Sequence, residues 1–335
     1  MSKFTGNHPI IMFSKTEAIK IMNEWGSEKK PFLFIIDFEM KMIRLFRLDL
    51  PLPGSLIYNF RGIGNEMDQK PPAEGLSFQK FPVSFHDYQQ AYSLVMEEIK
   101  AGNTFLINLT LPTPIRTNLS LRQLFEVSRA PYKLLLDGEF VCFSPEPFIR
   151  IQNGTITAYP MKGTINASVH DAVQVILSDK KETAEHNTIV DLLRNDLSRI
   201  AFPVSVKRFR YIDRITTHAG DILQVSSEIT GKLRPAFAGS LGDMLFNLLP
   251  AGSVTGAPKP KTTAIIRQVE KIERGYYTGI CGVFDGENVD SAVMIRFIEV
   301  RNGTMIFRSG GGITFLSDAR KEYEELIDKV YVPVA

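Results

Sequence analysis

Apolar and polar positions alternate along this chain with two different periods. In "MFSKTEAIKIMNEW" (12–25) the apolar residues recur at helical spacing and predict a short amphipathic helix. The run "PFLFIIDF" that follows is continuously apolar and strand-like, ending in an aspartate. Residues 50–82 are rich in Pro and Gly and predict loops around one short strand, "SLIYNF". Helical period returns in "FHDYQQAYSLVMEEIKAG", closed by Gly102. Strands are then predicted in "NTFLINLTLPTPI", "KLLLDG", "EFVCFSP" and "PFIRIQ". The last of these enters a hairpin through Asn153-Gly154, a pair suited to a tight turn with positive φ at both positions.

In residues 178–200, Ile189, Leu192, Leu193 and Leu197 fall on one helical face. Strands near 203–211 and 221–229 come next, then two helices, "LGDMLFNLLP" and "KPKTTAIIRQVEKIER". The C-terminal third reads as the strand "TGICGVFD", the long apolar stretch "SAVMIRFIEVRNGTMIFRSGGGI" turning at Asn302-Gly303, and the helix "SDARKEYEELIDKV". Hairpin-linked strands interleaved with helices, without regular βαβ alternation, predict an α+β protein with large, mainly antiparallel sheets covered by helices. No repeat, low-complexity tract or clean linker divides it.

Composition narrows the function classes. The 39 basic side chains nearly balance 37 acidic ones, which does not suggest a nucleic-acid binder. Cys142 and Cys281 lie far apart and make neither a metal motif nor a disulfide framework. The start of the chain has no signal-peptide pattern, and no segment approaches the about 20 apolar residues of a membrane helix. A soluble, cytoplasmic protein is expected. The histidines, at positions 8, 86, 170, 186 and 218, do not cluster.

Candidate chemistry lies in carboxylates and glycines. Glu182 and Glu185 are three apart on one predicted helix, and Glu322 and Glu325 repeat that spacing on the last one. Such pairs often decorate solvated faces, but four carboxylates from two helices can also meet a hard divalent cation. "RSGGGITF" (308–315) and "PAGSVTGAPKPK" (250–261) are loops whose backbone N–H groups can approach an anion closely. Neither has the spacing of a nucleotide-binding fingerprint.

Taken together, "SPEPF" (144–148), "YPMKGT" (159–164), "DKKETAEHNTIVDLLRNDL" (179–197), "SSEITGKL" (226–233), "PAGSVTGAPK" (250–259), "RGYYTGICGVFD" (274–285) and "FRSGGGI" (307–313) make the chain resemble the chorismate-utilising enzymes. The resemblance runs from "AGNTFLINLT" at 101 to the last helix. It implies two large antiparallel sheets packed face to face with helices outside. It also implies a catalytic domain over 81–335, with residues 1–80 as a shortened N-terminal region integrated with the core. That region looks too short for the feedback tryptophan site of anthranilate synthases.

The same resemblance implies a Mg²⁺ site at Glu185 and Glu325, with Glu182 and Glu322 behind them or acting through water. It places Arg296 and Tyr277 at the enolpyruvyl carboxylate of chorismate. Thr164, Ser253, Thr255, Gly256, Gly310, Gly311 and Gly312 would complete the substrate site. Lys162 distinguishes activities within the family. Anthranilate synthases carry alanine there, whereas the Lys-Gly-Thr form is that of aminodeoxychorismate synthases. Isochorismate and salicylate synthases use a lysine base at the position of Leu106, where leucine cannot activate water.

The implied reaction is therefore amination of chorismate at C4, with Lys162 attacking C2 and Glu146 as general acid and base. Free lysine titrates at about 10.4; apolar burial, and the nearby Mg²⁺ that disfavours a second cation, are expected to lower Lys162 toward a usable amine. Gln224 stands where anthranilate synthase-like relatives have a histidine. Ammonia is expected from a separate glutaminase subunit, and release of 4-aminobenzoate from a separate lyase. The first component of anthranilate synthase and a non-catalytic subunit of the same fold remain as alternatives.

Overall fold

The computed structural model describes residues 11–67, 75–217 and 220–334; His8 and His218 lie outside them. Eight α-helices are present among the described residues: α1 (Lys15–Ser27), α2 (Phe85–Lys100), α3 (Leu121–Val127), α4 (Ala172–Ser178), α5 (Lys180–Ser198), α6 (Leu241–Leu248), α7 (Lys259–Glu270) and α8 (Ala319–Asp328). Among the described residues two nine-stranded sheets account for the strands, and every pairing is antiparallel. The first sheet runs Met161–Asn166, Gly220–Leu233, Thr155–Ala158, Pro147–Gln152, Val289–Val293, Ile280–Phe284, Phe32–Ile36, Ile43–Arg47, with Ala201–Thr217 added to Gly220–Leu233. The second runs Gly256–Ala257, Leu106–Thr117, Thr304–Thr314, Phe297–Arg301, Phe140–Ser144, Tyr132–Leu136, Leu56–Phe60, Ile63–Gly64, with Phe78–Lys80 added to Leu106–Thr117.

Strand alternation builds three apolar layers. Along Phe32–Ile36, Leu33 and Ile35 face the second sheet and pack with Leu134, Leu136, Phe140, Cys142, Cys281 and Phe297. Phe32, Phe34 and Ile36 face the other way, onto Met22 of α1, Val190 and Leu197 of α5 and Met244 of α6. A strand covered on both sides has no polar face, which is why "PFLFIIDF" is continuously apolar. The outer face of the second sheet is covered by α2, α7 and α8 through Val95, Ile265 and Leu326, and by α3 through Leu124. Both cysteines are buried thiols in the middle layer. No helix among the described residues is long and apolar enough to cross a membrane.

Both Asn-Gly turns form as expected, with φ of 49° and 68° at Asn153-Gly154 and 50° and 75° at Asn302-Gly303. Several elements differ from expectation. Ile43–Arg47 is a strand, and Phe78–Lys80 and Ile63–Gly64 add short strands inside the Pro/Gly-rich segment. The helix expected over 178–200 begins at Lys180, because the Asp179 side chain accepts the Glu182 N–H and caps it; α4 precedes it. The apolar stretch from Ser291 is not one strand: Val289–Val293 belongs to the first sheet and Phe297–Arg301 to the second.

Candidate active site

The chain changes sheet twice at one place. It passes from Phe140–Ser144 to Pro147–Gln152 through Pro145-Glu146, and from Val289–Val293 to Phe297–Arg301 through Met294–Arg296. The crossings run side by side, joined by Val293 N–H to Glu146 O (3.1 Å) and Phe143 N–H to Arg296 O (3.0 Å). Arg296 takes a left-handed φ of 52°, which turns its side chain out of strand alternation. Next to them opens a cavity of about 810 Å³. Glu146, Lys162, Thr164, Glu182, Glu185, Ser253, Tyr277, Arg296, Gly310, Gly312 and Glu325 all line it.

Lys162 reaches the cavity because its strand is bulged. The register against Gly220–Leu233 slips between Lys162 and Thr164, and Gly163 takes φ 75°. A Cβ on Gly163 would also stand 3.3 Å from a Glu182 carboxylate oxygen. Glycine therefore meets both demands, conformation and space. Below, the glycine strand is the floor: a Cβ on Gly312 would lie 3.0 Å from Lys162 Nζ and 3.1 Å from Glu185 Oε2. Thr164 sits at the exposed rim opposite Gln224, which also lines the cavity.

The four glutamates converge, but each has lysine company. Lys162 donates to Glu185 at 2.9 Å. Lys181 pairs with Glu322 at 2.6 Å and Glu185 at 3.5 Å. Lys329 pairs with Glu325 at 2.6 Å and donates to Gly310 O at 3.0 Å. Among the described residues no three acidic or imidazole groups are close enough to form a ready-made metal cage. The donor set nevertheless suits a hard cation. Glu185 Oε1 is buried without a hydrogen-bond partner, and carboxylates from α5 and α8 surround the bulge and the floor.

Charge sets the protonation of these groups. Burial pushes the Glu146 carboxyl up, against a Ser253 hydrogen bond and the positive charge of Lys162, Arg296 and Lys329. Burial thus favours its protonated form. Burial also raises Glu182, helped by repulsion from Glu185. For Glu325, burial is outweighed by Lys329, Lys162 and Lys181, and the carboxyl falls below its ordinary value.

For Lys162, burial pulls the ammonium down as expected, but with no cation between them Glu185, Glu182 and Glu325 outweigh it and the net shift is upward. In this structure Lys162 is a held ammonium rather than a free amine. Tyr277 is pushed to about 12 by burial.

Four expected residues do not line the cavity. The Thr255 hydroxyl donates to Ala251 O at 2.8 Å and its carbonyl accepts from Asn108 N–H, so it shapes the loop. Gly256, at φ 120°, passes so close to Leu106 O that a Cβ would stand 1.9 Å away. Glu322 is 1% exposed and meets Lys181 behind the floor. Gly311 faces Glu322 and Glu325.

Residues not anticipated are Lys181 and Lys329, at i, i+4 from Glu185 and Glu325, a spacing visible in the sequence. Arg274 was also missed. It is 1% exposed, pairs with Glu270 at 2.6 Å, and donates to the carbonyls of Val254 and Asn108, both at the cavity.

Two antiparallel sheets sharing a pocket of carboxylates, lysines and glycine backbone define the class: the architecture is that of the chorismate-utilising enzymes. It superposes on the menaquinone-specific isochorismate synthase of Escherichia coli with a TM-score of 0.73 over 96% of this chain and 82% of that one, at 17% identity. Residues 56–335 match the family described as chorismate binding enzyme, and the chain belongs to it. It is 51% identical to an uncharacterized PabA-like protein of Haemophilus influenzae, over 94% of this chain and 96% of that one. It is 32% identical to anthranilate synthase component 1 of Pseudomonas aeruginosa, covering 80% of this chain and 56% of that longer one.

Proposed function

We propose that this chorismate-utilising enzyme aminates chorismate at C4, giving 4-amino-4-deoxychorismate for 4-aminobenzoate and folate synthesis. Ammonia would come from a glutaminase subunit, and a separate lyase would act on the product. The observation that carries this reading is the bulge at Gly163, which delivers the Lys162 amine into the cavity that Glu146 also lines. Glu185 and Glu325, with Glu182 and Glu322 behind them, would hold Mg²⁺. When bound there, the ion would supply the positive charge that takes the ring carboxylate of chorismate. Lys162, held by Glu185 in this structure, would give up its proton to water at the cavity mouth where that carboxylate is engaged by the ion instead.

The free Lys162 amine then forms a bond to C2. Both ring double bonds shift, C1=C2 to C1=C6 and C5=C6 to C4=C5, the C4–O bond breaks, and Glu146 gives its proton to the departing hydroxyl, which leaves as water. Ammonia bonds to C4 and both double bonds shift back. The C2–N bond breaks, Lys162 departs as an amine, and Glu146 recovers a proton from the incoming nitrogen. Chorismate and ammonia become the 4-amino product and water, with no oxidant or reductant.

The test is Lys162→Ala given chorismate, Mg²⁺ and ammonium salt, with products separated by chromatography. The 4-amino product should be lost. Its unchanged formation would end the covalent role of Lys162. A 2-amino product from the wild type would replace the C4 reading by that of anthranilate synthase, the activity named for the Pseudomonas relative.

A further inference from the structure

The segment after α8 alternates in burial. Val330 and Val332 are 2% and 6% exposed in the apolar cluster beneath the second sheet, with Leu124, Phe125 and Phe143. Val334 bridges Ser128, and Pro333 O accepts the Arg129 N–H at 2.7 Å, so the segment is fixed at its far end. Alternation turns Tyr331 the opposite way, to the mouth of the cavity, where it is 45% exposed. Its ring centroid lies 5.2 Å from the guanidinium carbon of Arg296.

Arg296 is half-buried and differs from the buried arginines in its partners. Arg274 faces Glu270, Arg44 faces Glu139 and Arg308 faces Glu299. Arg296 makes no side-chain hydrogen bond or ion pair among the described residues, its Nε is buried without an acceptor, and its recorded side-chain contact is the Tyr331 ring. A guanidinium lining a cavity with no hydrogen-bonded or ion-paired carboxylate among the described residues, Glu146 acting on it only at longer range, is set up to take an anion from a ligand. A ring on its face holds it by cation–π attraction and shields that face from water, which leaves the N–H edge for a planar carboxylate.

We propose that Tyr331 is a positioning residue that completes, with Arg296, the subsite for the enolpyruvyl carboxylate of chorismate. The inference rests on the assignment of this cavity to chorismate. Tyr331 acts through Arg296 and touches no reacting atom, so it sets affinity rather than the rate of the chemical step.

The experiment measures chorismate binding by titration calorimetry with Mg²⁺ and without ammonia, so binding is read whichever carbon is later aminated. Wild type, Tyr331→Phe and Tyr331→Leu are compared, at a half-exposed position where all three fold; thermal melting checks this. Phe should bind within about twofold of wild type, and Leu, similar in bulk but without a π face, about tenfold more weakly. In turnover with ammonium salt, KM should rise in the Leu variant while kcat stays within about threefold. Equal binding by Leu and wild type would overturn the proposal. So would a Phe variant as weak as Leu, which would assign the effect to the hydroxyl. If the wild type itself bound no chorismate, the assignment of the cavity would fall; this is distinct from a wild type that binds and variants that do not differ from it.

Discussion

Gly312→Ala isolates the placement of Lys162 from the stability of the fold. The φ of Gly312 is not in the left-handed region, so alanine can adopt the backbone. What the added methyl meets is the ends of three side chains: Lys162 Nζ at 3.0 Å, Glu185 Oε2 at 3.1 Å and Leu106 Cδ1 at 3.2 Å. Each is a few tenths of an ångström inside ordinary contact, and two belong to the Lys162–Glu185 ion pair. Relief requires Lys162 and Glu185 to lift off the floor. Misplacement of a reacting group by about 1 Å costs on the order of 10²-fold in rate. A shift of a few tenths predicts a kcat about 10- to 100-fold lower, or ~1.4–2.8 kcal/mol on the barrier. Stability should barely move, because the Gly→Ala gain through the unfolded chain, about 0.4–1 kcal/mol, offsets much of the crowding.

Chorismate consumption with ammonium salt and Mg²⁺ gives kcat, and circular dichroism gives the melting temperature. Gly311→Ala, whose methyl meets nothing nearer than 3.5 Å, should lose less. A Gly312→Ala enzyme within about twofold of wild type would refute the idea that the floor sets the position of Lys162.

Two further predictions concern groups away from the substrate. Asp37 is 2% exposed, and burial raises its carboxyl from 3.8 to about 6. A raised folded-state value favours the native state while the group is protonated, and that contribution disappears as pH rises from about 4 through about 6, roughly 3 kcal/mol in all. Asp37→Asn should therefore gain on wild type in melting temperature between pH 4 and 7; a constant gap would show that Asp37 does not titrate this way. Arg274→Met leaves Glu270 buried without its counter-charge and should cost about 3–5 kcal/mol in urea unfolding, part of it recovered in Arg274→Met/Glu270→Met. Equal stability of the single and double variants would show that the stranded carboxylate is not the cause.

Much of the architecture was legible because period and turn chemistry are local. The Asn-Gly hairpins, α2, α7 and α8 follow from spacing and caps. Ile43–Arg47 was not, because five residues with buried charge at Arg44 show no clean alternation. Nor was the sheet change at Arg296, because "SAVMIRFIEV" is apolar on both sides of a break that only tertiary pairing produces. Sequence could pair Glu182 with Glu185, and Glu322 with Glu325, through helix spacing, but not the two helices with each other. That meeting is a long-range fact of α5 and α8 flanking the glycine strand. The partners of Lys162 were not legible for the same reason: its strand is local, whereas the carboxylates around it come from elsewhere.

The paired crossings at Glu146 and Arg296 have a consequence for how the molecule can be divided. Each of these residues belongs to neither sheet, and each is held in place by a backbone hydrogen bond from the end of the strand that leads into the neighbouring crossing. A piece of the chain ending between residues 146 and 296 would keep strands of both sheets and still lack half of this junction. Catalytic competence is thus a property of the closed sandwich as a whole. Cutting or permuting the chain at an outer hairpin such as Asn153-Gly154 leaves the junction continuous, whereas a cut at either crossing removes the support of both.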